Sequence, residues 1–200
     1  MLLEGKTAVI YGAGGAIGGA VARAFAREGA TLFLTGRDVA KVDAVAGEVG
    51  GAAETAAVDA LDERAVAEHL DTVVEKAGRV DISFNAIGPG PAADRLPLIE
   101  LGADAFVRPI AFYTRSNFVT ATAAARHMRA AGSGVIVTLT ALPGRLPANL
   151  IGGQAPAWGR GRGVHAVARA RAGAGRNPRG VPAFARDPGH AADRRELRHG

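Results

Sequence analysis

Thr7-Ala-Val-Ile-Tyr-Gly-Ala-Gly-Gly-Ala-Ile-Gly18 decides how the rest of the chain is read. Ala8 to Tyr11 is an apolar run suited to a buried strand, and it breaks into Gly12, Gly14, Gly15 and Gly18. The segment after it, Ala20-Val-Ala-Arg-Ala-Phe-Ala-Arg-Glu28, has the spacing of an amphipathic helix and closes at Gly29. Strand, glycine loop and helix in that order are the parts of a nucleotide-binding first crossover. Glycines let the backbone approach a pyrophosphate, and the free N–H groups of the first helical turn face the anion. A plain tight turn in an α/β protein could carry the same glycines. The order of elements and the residues that follow favour the binding reading.

The alternation continues outward from this stretch. Thr31–Thr35 reads as a second strand, followed by Gly36-Arg37-Asp38, a helix over Val39–Val49 and a short strand, Ala53–Val58, ending at Asp59. From Asp62 to Lys76, Val66, Leu70, Val73 and Val74 form one apolar stripe of a helix, with Asp62 as its N-cap and Gly78 beyond its end. A fourth strand, Val80–Phe84, leads into Asn85-Ala-Ile-Gly88. Pro89–Pro97 reads as a loop, Asp104 to Ala131 as a long helix interrupted near Pro109, and Val135–Leu139 as a fifth strand. Apolar strands alternating with helices imply a parallel sheet covered on both faces. The expected fold is a three-layer, doubly wound α/β domain of about five strands, a Rossmann fold.

Composition narrows the function classes. Two hundred residues suit about one domain. There are no cysteines, which excludes disulfides and thiolate metal sites. No stretch approaches the roughly 18 uninterrupted apolar residues of a membrane helix, so a cytoplasmic protein without membrane contact is expected. The net charge of +5 is unevenly spread. Residues 1–158 carry two more acids than Lys and Arg, whereas residues 159–200 carry an excess of seven positive charges. The basic balance therefore belongs to a tail, and that tail lacks the interleaved aromatics of a nucleic-acid module. No specific nucleic-acid partner is expected. His69 and His127 fall on helices and read as surface residues, while His165, His190 and His199 scatter through the tail. No His-x-x-x-His pair or acid cluster has ligand spacing, and no metal site is expected.

Across its first 150 or so residues the chain resembles the short-chain dehydrogenase/reductase family, the Rossmann-fold NAD(P)-dependent oxidoreductases. Its Thr-Gly-x-x-x-Gly-x-Gly motif is matched by Tyr11-Gly12-Ala-Gly-Gly-Ala16-Ile17-Gly18, with Tyr for Thr and Ala16 for the middle Gly. At the end of the second strand an acid would hold the ribose hydroxyls of NAD, whereas an arginine accommodates the 2′-phosphate of NADP. Arg37 stands there, so NADP is expected over NAD, with Asp38 capping the next helix. Asp59 and Ala60 match the family's residues beside the adenine, and Asn85-Ala86-Ile87-Gly88 its Asn-Asn-Ala-Gly. The cofactor residues implied are Gly12, Gly14, Gly15, Ala16, Ile17, Gly18, Arg37, Asp59, Ala60, Asn85, Ala86 and Gly88. Asn85 and Asp59 also suit purely structural duties, at a strand end and as a cap.

The catalytic half of the family pattern is not matched. The only tyrosines are Tyr11 and Tyr113 and the only lysines Lys6, Lys41 and Lys76, so the family's Tyr-x-x-x-Lys pair occurs nowhere. Its serine position falls on Ala141, with Thr140 beside it as the one candidate catalytic hydroxyl. Its catalytic Asn position falls on Tyr113, with Asn117 one turn later. Trp158, with Gly152-Gly153-Gln154, stands about where the active-site segment of atypical, non-catalytic relatives diverges. Two readings stay open. One is an NADP-dependent oxidoreductase of a small carbonyl/alcohol pair; the other is a non-catalytic NADP-binding sensor or scaffold.

After Trp158 the composition changes. Arg, Gly, Ala and Pro supply 30 of the last 42 residues, so this stretch can bury little apolar surface against its ordering entropy. The expected organisation is a binding domain over residues 1–158 and a mostly disordered tail over 159–200. These four residue types have codons that can begin with two G/C bases, and a shifted reading of a GC-rich gene would produce this tail. An amphipathic helix and a strand in another frame of the coding DNA would establish that; their absence from both frames would exclude it. Without further strands the fifth strand is expected to be a bare, association-prone edge. The helix after Asp104 is the expected surface for any homo-oligomer.

Overall fold

The computed structural model describes residues 1–51, 53–88 and 96–139, together with Gly153 and Ala157. Its elements are β1 (Thr7–Tyr11), α1 (Ala16–Arg27), β2 (Thr31–Gly36), α2 (Val39–Val49), β3 (Ala53–Ala57), α3 (Glu63–Ala77), β4 (Ile82–Asn85), α4 (Ala103–Ala130) and β5 (Val135–Thr138). A single 3-10 turn, Leu98–Glu100, precedes α4. The strands form one sheet in the order β3-β2-β1-β4-β5, every pair parallel. This is the doubly wound Rossmann fold read from the sequence. The winding direction reverses between β1 and β4, which puts a crevice at their carboxyl ends.

Side-chain alternation along the central strand divides the core in two. Val9 and Tyr11 pack with Val66, Leu70 and Val73 of α3 and with Val119 and Ala124 of α4. Ala8 and Ile10 face the other way, onto Ala22 of α1 and Val42 and Val45 of α2. All five β1 residues are buried, as a strand sandwiched between helical layers requires. The α3 stripe is fully buried at Val66, Leu70 and Val73, each side chain contributing about 1.5–3 kcal/mol. At the end of the sheet away from the crevice, buried Asp81 accepts the Thr7 N–H at 3.0 Å and pairs with Arg79 at 2.6 Å. That carboxylate locks β1 and β4 in register.

Local signals set the helix ends. Asp62 caps α3 by accepting from the N–H groups of Arg64 (2.9 Å) and Ala65 (3.1 Å), and Gly78 closes it at φ 77°. Asp38 caps α2 through the N–H of Lys41. Two expectations need correction. Helix α4 is not interrupted at Pro109 but runs unbroken from Ala103 to Ala130 with the proline inside it. Pro109 lies in the second turn, past the first turn where a proline costs nothing, and α4 carries it with the loss of the bond its N–H would have made. Nor, among the described residues, is the sheet covered on both faces throughout. Val135 and Val137 of β5 remain 56% and 38% exposed.

Candidate functional site

The glycine loop is built by close packing. Gly12 adopts φ 75°, and a Cβ there would press on the Ala86 carbonyl at 3.3 Å, so the loops after β1 and β4 touch. Gly18 lies directly over the turn: a Cβ there would overlap the Gly12 carbonyl oxygen and come within 2.9 Å of Ala13 Cα. Both positions require glycine for steric reasons that need no ligand. The N–H groups of Gly12 and Ala13 are held by the Thr35 carbonyl, each at 2.9 Å. Gly15 is the N-cap of α1, and Gly19 is the first helical residue bonded back to it, at 2.8 Å. The amides of Ala16, Ile17 and Gly18 therefore form the open end of the helix, with no acidic side chain in the first turn to neutralise its positive pole.

A cavity of about 670 Å3 opens beside this loop, at the carboxyl ends of the central strands. Gly12, Gly14 and Gly15 line it from the first loop, and Gly36, Arg37 and Asp38 from the loop after β2. Val58, Asp59 and Ala60 follow β3, and Ala86, Ile87 and Gly88 follow β4. Lys41 and Val42 of α2 and Phe112 of α4 complete the wall. Of the residues expected at a cofactor, Gly12, Gly14, Gly15, Arg37, Asp59, Ala60, Ala86 and Gly88 thus meet in one cavity. Ala16 and Ile17 sit at the exposed helix start, and Gly18 is buried beneath it.

The charged groups differ in how far they are engaged. Arg37 is exposed at the cavity wall, and among the described residues no carboxylate pairs with it. Asp38 is tied to Lys41: Oδ2 lies 3.1 Å from Nζ, and these hydrogen bonds hold its carboxyl below the usual carboxylate range. Asp59 accepts the Leu61 N–H at 3.0 Å and shapes the turn before α3, while Asp62 does the helix capping.

Asn85 is buried, with both ends of its side-chain amide hydrogen-bonded. Its Nδ2 donates to Thr120 Oγ1 (3.2 Å) and its Oδ1 accepts from the Ile87 N–H (2.9 Å). Thr120 in turn donates to the Ser116 carbonyl at 2.8 Å. Asn85 thereby holds the loop residues Ala86 to Gly88 in place from below and stays out of the cavity wall. Tyr113 is buried edge-on to Phe112, with ring centroids 6.1 Å apart, and a Cβ added to Gly88 would lie 4.0 Å from its hydroxyl. Asn117 is buried one turn further along α4. Thr140, Ala141, Gly152, Gln154 and Trp158 lie outside the described residues, as does all of residues 159–200. Among the described residues no three His, Asp or Glu side chains gather at metal-binding spacing. His69 corrects one expectation: it is on a helix, but its Nδ1 is buried and its ring meets Phe33 edge-on.

Sequence reasoning missed Lys41 and Phe112, which reach the cavity from helices. The signal for Lys41 was available in its place, in the first turn of α2 just after Arg37.

A parallel sheet with a glycine loop, an open helix start and a cavity at its switch point is a nucleotide-binding Rossmann domain. Comparison with known proteins makes this more specific. Residues 12–149 match the family model described as Enoyl-(Acyl carrier protein) reductase. Sorbitol dehydrogenase of Cereibacter sphaeroides is 31% identical over 153 residues, 76% of this chain and 59% of that protein. A metagenomic short-chain oxidoreductase solved in complex with NADP superposes with a TM-score of 0.74 at 30% identity, over 86% of this chain and 78% of that one. The 3-ketoacyl-(acyl-carrier-protein) reductase of Brucella melitensis, solved with NADH, gives 0.75 at 28% identity over 85% and 72%. The chain belongs to the short-chain dehydrogenase/reductase family. It spans about three-fifths of the length of its sorbitol dehydrogenase relative. No helix among the described residues is long and apolar enough to cross a membrane.

Proposed function

We propose that the chain binds NADP in this cavity and acts as an oxidoreductase on a small carbonyl/alcohol pair. The observation that carries the cofactor reading is Arg37, a guanidinium on the cavity wall without a carboxylate partner among the described residues, beside an acid already committed to Lys41. A 2′-phosphate offers that guanidinium a bidentate partner; two ribose hydroxyls do not. The residues present fit a dinucleotide. Gly12 and Gly18 let the loop fold tightly onto its own backbone beside the cavity, the start of α1 suits the pyrophosphate, and Asp59 and Ala60 offer an edge for the adenine. The loop Ala86–Gly88 would take the ribose next to the nicotinamide.

When bound, the nicotinamide supplies the two-electron chemistry. The chain's own part is to position it and exclude water, with Phe112 as the apolar wall on the α4 side. The relatives support the activity, one described as a sorbitol dehydrogenase and one as a 3-ketoacyl-(acyl-carrier-protein) reductase.

The test is a fluorescence titration of NADPH and NADH against the chain and its Arg37→Ala variant. Arg37→Ala weakens NADPH on the order of tenfold or more, as loss of a hydrogen bond between charged groups does, and leaves NADH nearly unchanged. Equal losses for the two refute the 2′-phosphate contact. Turnover over a panel of small ketones, aldehydes and polyols then tests the activity. Binding without turnover would identify a non-catalytic NADP-binding protein instead, and no binding of either nucleotide refutes both.

A further inference from the structure

The loop after β2 carries two groups of opposite implication. Arg37 favours a phosphate at the ribose, whereas the adjacent Asp38 is an anion on the same cavity wall and would repel one. Lys41 stands between these outcomes. It lies in the first turn of α2, where its N–H donates to Asp38 Oδ1, and its Nζ is 3.1 Å from Asp38 Oδ2. Its stem forms part of the glycine loop's surroundings: a Cβ added to Gly14 would lie 2.8 Å from Lys41 Cβ. Lys41 therefore lines the cavity together with Arg37, its Cβ seated against Gly14 and its ammonium set beside Asp38. The Lys41–Asp38 pair is exposed on both sides. Exposed pairs of this kind are weak, so the ammonium can turn to a phosphate dianion at little cost.

We propose that Lys41 is a specificity-determining residue of this site: its charge offsets that of Asp38 and leaves the positive charge of Arg37 for the ligand, so the loop selects a 2′-phosphate over a free 2′-hydroxyl. This rests on the NADP reading above and extends it. Arg37 alone beside an uncompensated Asp38 would leave the wall electrically neutral and the two cofactors poorly separated. With Lys41 the three side chains carry a net single positive charge toward the ligand. The glycine at position 14 is what lets the lysine stem come so close.

The probes are 2′,5′-ADP and ADP, which report the ribose end without involving the nicotinamide, titrated calorimetrically against the full chain. The wild type prefers 2′,5′-ADP. Lys41→Gln, which keeps the stem against Gly14, lowers that preference by about tenfold, through weaker 2′,5′-ADP binding and unchanged or tighter ADP binding. Lys41→Arg restores it. Asp38→Asn, which can still cap α2, raises the preference about two- to fivefold. A Lys41→Gln preference within twofold of wild type, with Arg37→Ala abolishing it, overturns the role of Lys41 and leaves the NADP reading standing. A wild type that does not discriminate overturns the NADP reading itself, and the role of Lys41 falls with it.

Discussion

Tyr11 occupies the position just before Gly12, and its phenol is completely buried against α3 and α4. Among the described residues the hydroxyl finds no hydrogen-bond partner, and burial pushes its pKa above the ordinary phenol value, so it remains neutral. An orphaned buried hydroxyl costs about 1–3 kcal/mol. Tyr11→Phe keeps the ring and removes the orphan, and is expected to raise the unfolding free energy by about 1 kcal/mol in urea titrations with NADPH binding unchanged. A loss of stability would mean that the hydroxyl has a partner in solution. Single residues also mark where the site was readable in sequence. Gly12, Gly18, Arg37 and Asp59 act through the loop they belong to, and loop chemistry follows strand ends along the chain. Asn85 was readable as a strand-end residue, but its bond to Thr120 depends on how α4 crosses the sheet.

At the scale of elements, α3 shows how a helix with an evident apolar stripe can still hide a titrating group. His69 lies on its flank, partly buried against Phe33. Burial, reinforced by Lys76 and partly offset by Glu54, lowers its pKa below the ordinary histidine value. The unfolded chain therefore binds a proton below about pH 6.5 that the folded chain resists. This contribution to stability is fully present above pH 6.5 and is lost as the pH falls toward the folded-state value. Urea midpoints measured at pH 7.5 and pH 5 should drop for the wild type and drop less for His69→Leu, which cannot titrate. An identical fall in both would assign the acid sensitivity to groups other than His69. The stripe Val66, Leu70, Val73 was legible because 3.6-residue periodicity is a local property. The continuity of α4 through Pro109 was not, because it depends on the proline's place in the second turn and on what packs against it. Lys41 and Phe112 were missed for the same reason: helices delivered them to the cavity.

For the molecule as a whole, the two faces of the sheet end differently at β5. Ile136 packs onto the α3–α4 core, but Val135 and Val137 point to the opposite face, in register with Ile82 and Phe84. Those two β4 side chains are buried under the α1–α2 layer, whereas their β5 neighbours are exposed. The apolar layer therefore continues one strand beyond the helices that cover it among the described residues. A strand presenting apolar groups next to its own β4 pairing is a place where a second chain can attach. Static light scattering over a concentration series measures this directly. The double substitution Val135→Thr and Val137→Thr keeps β-branched side chains, and so strand propensity, while making the face polar. It is expected to lower the apparent molar mass at high concentration and leave the circular dichroism spectrum unchanged. Association that persists at the wild-type level would move the sticky surface to the other candidate, the exposed Phe106, Val107 and Phe118 of α4. These two surfaces lie on opposite faces of the sheet, so the double threonine variant discriminates between them in one measurement.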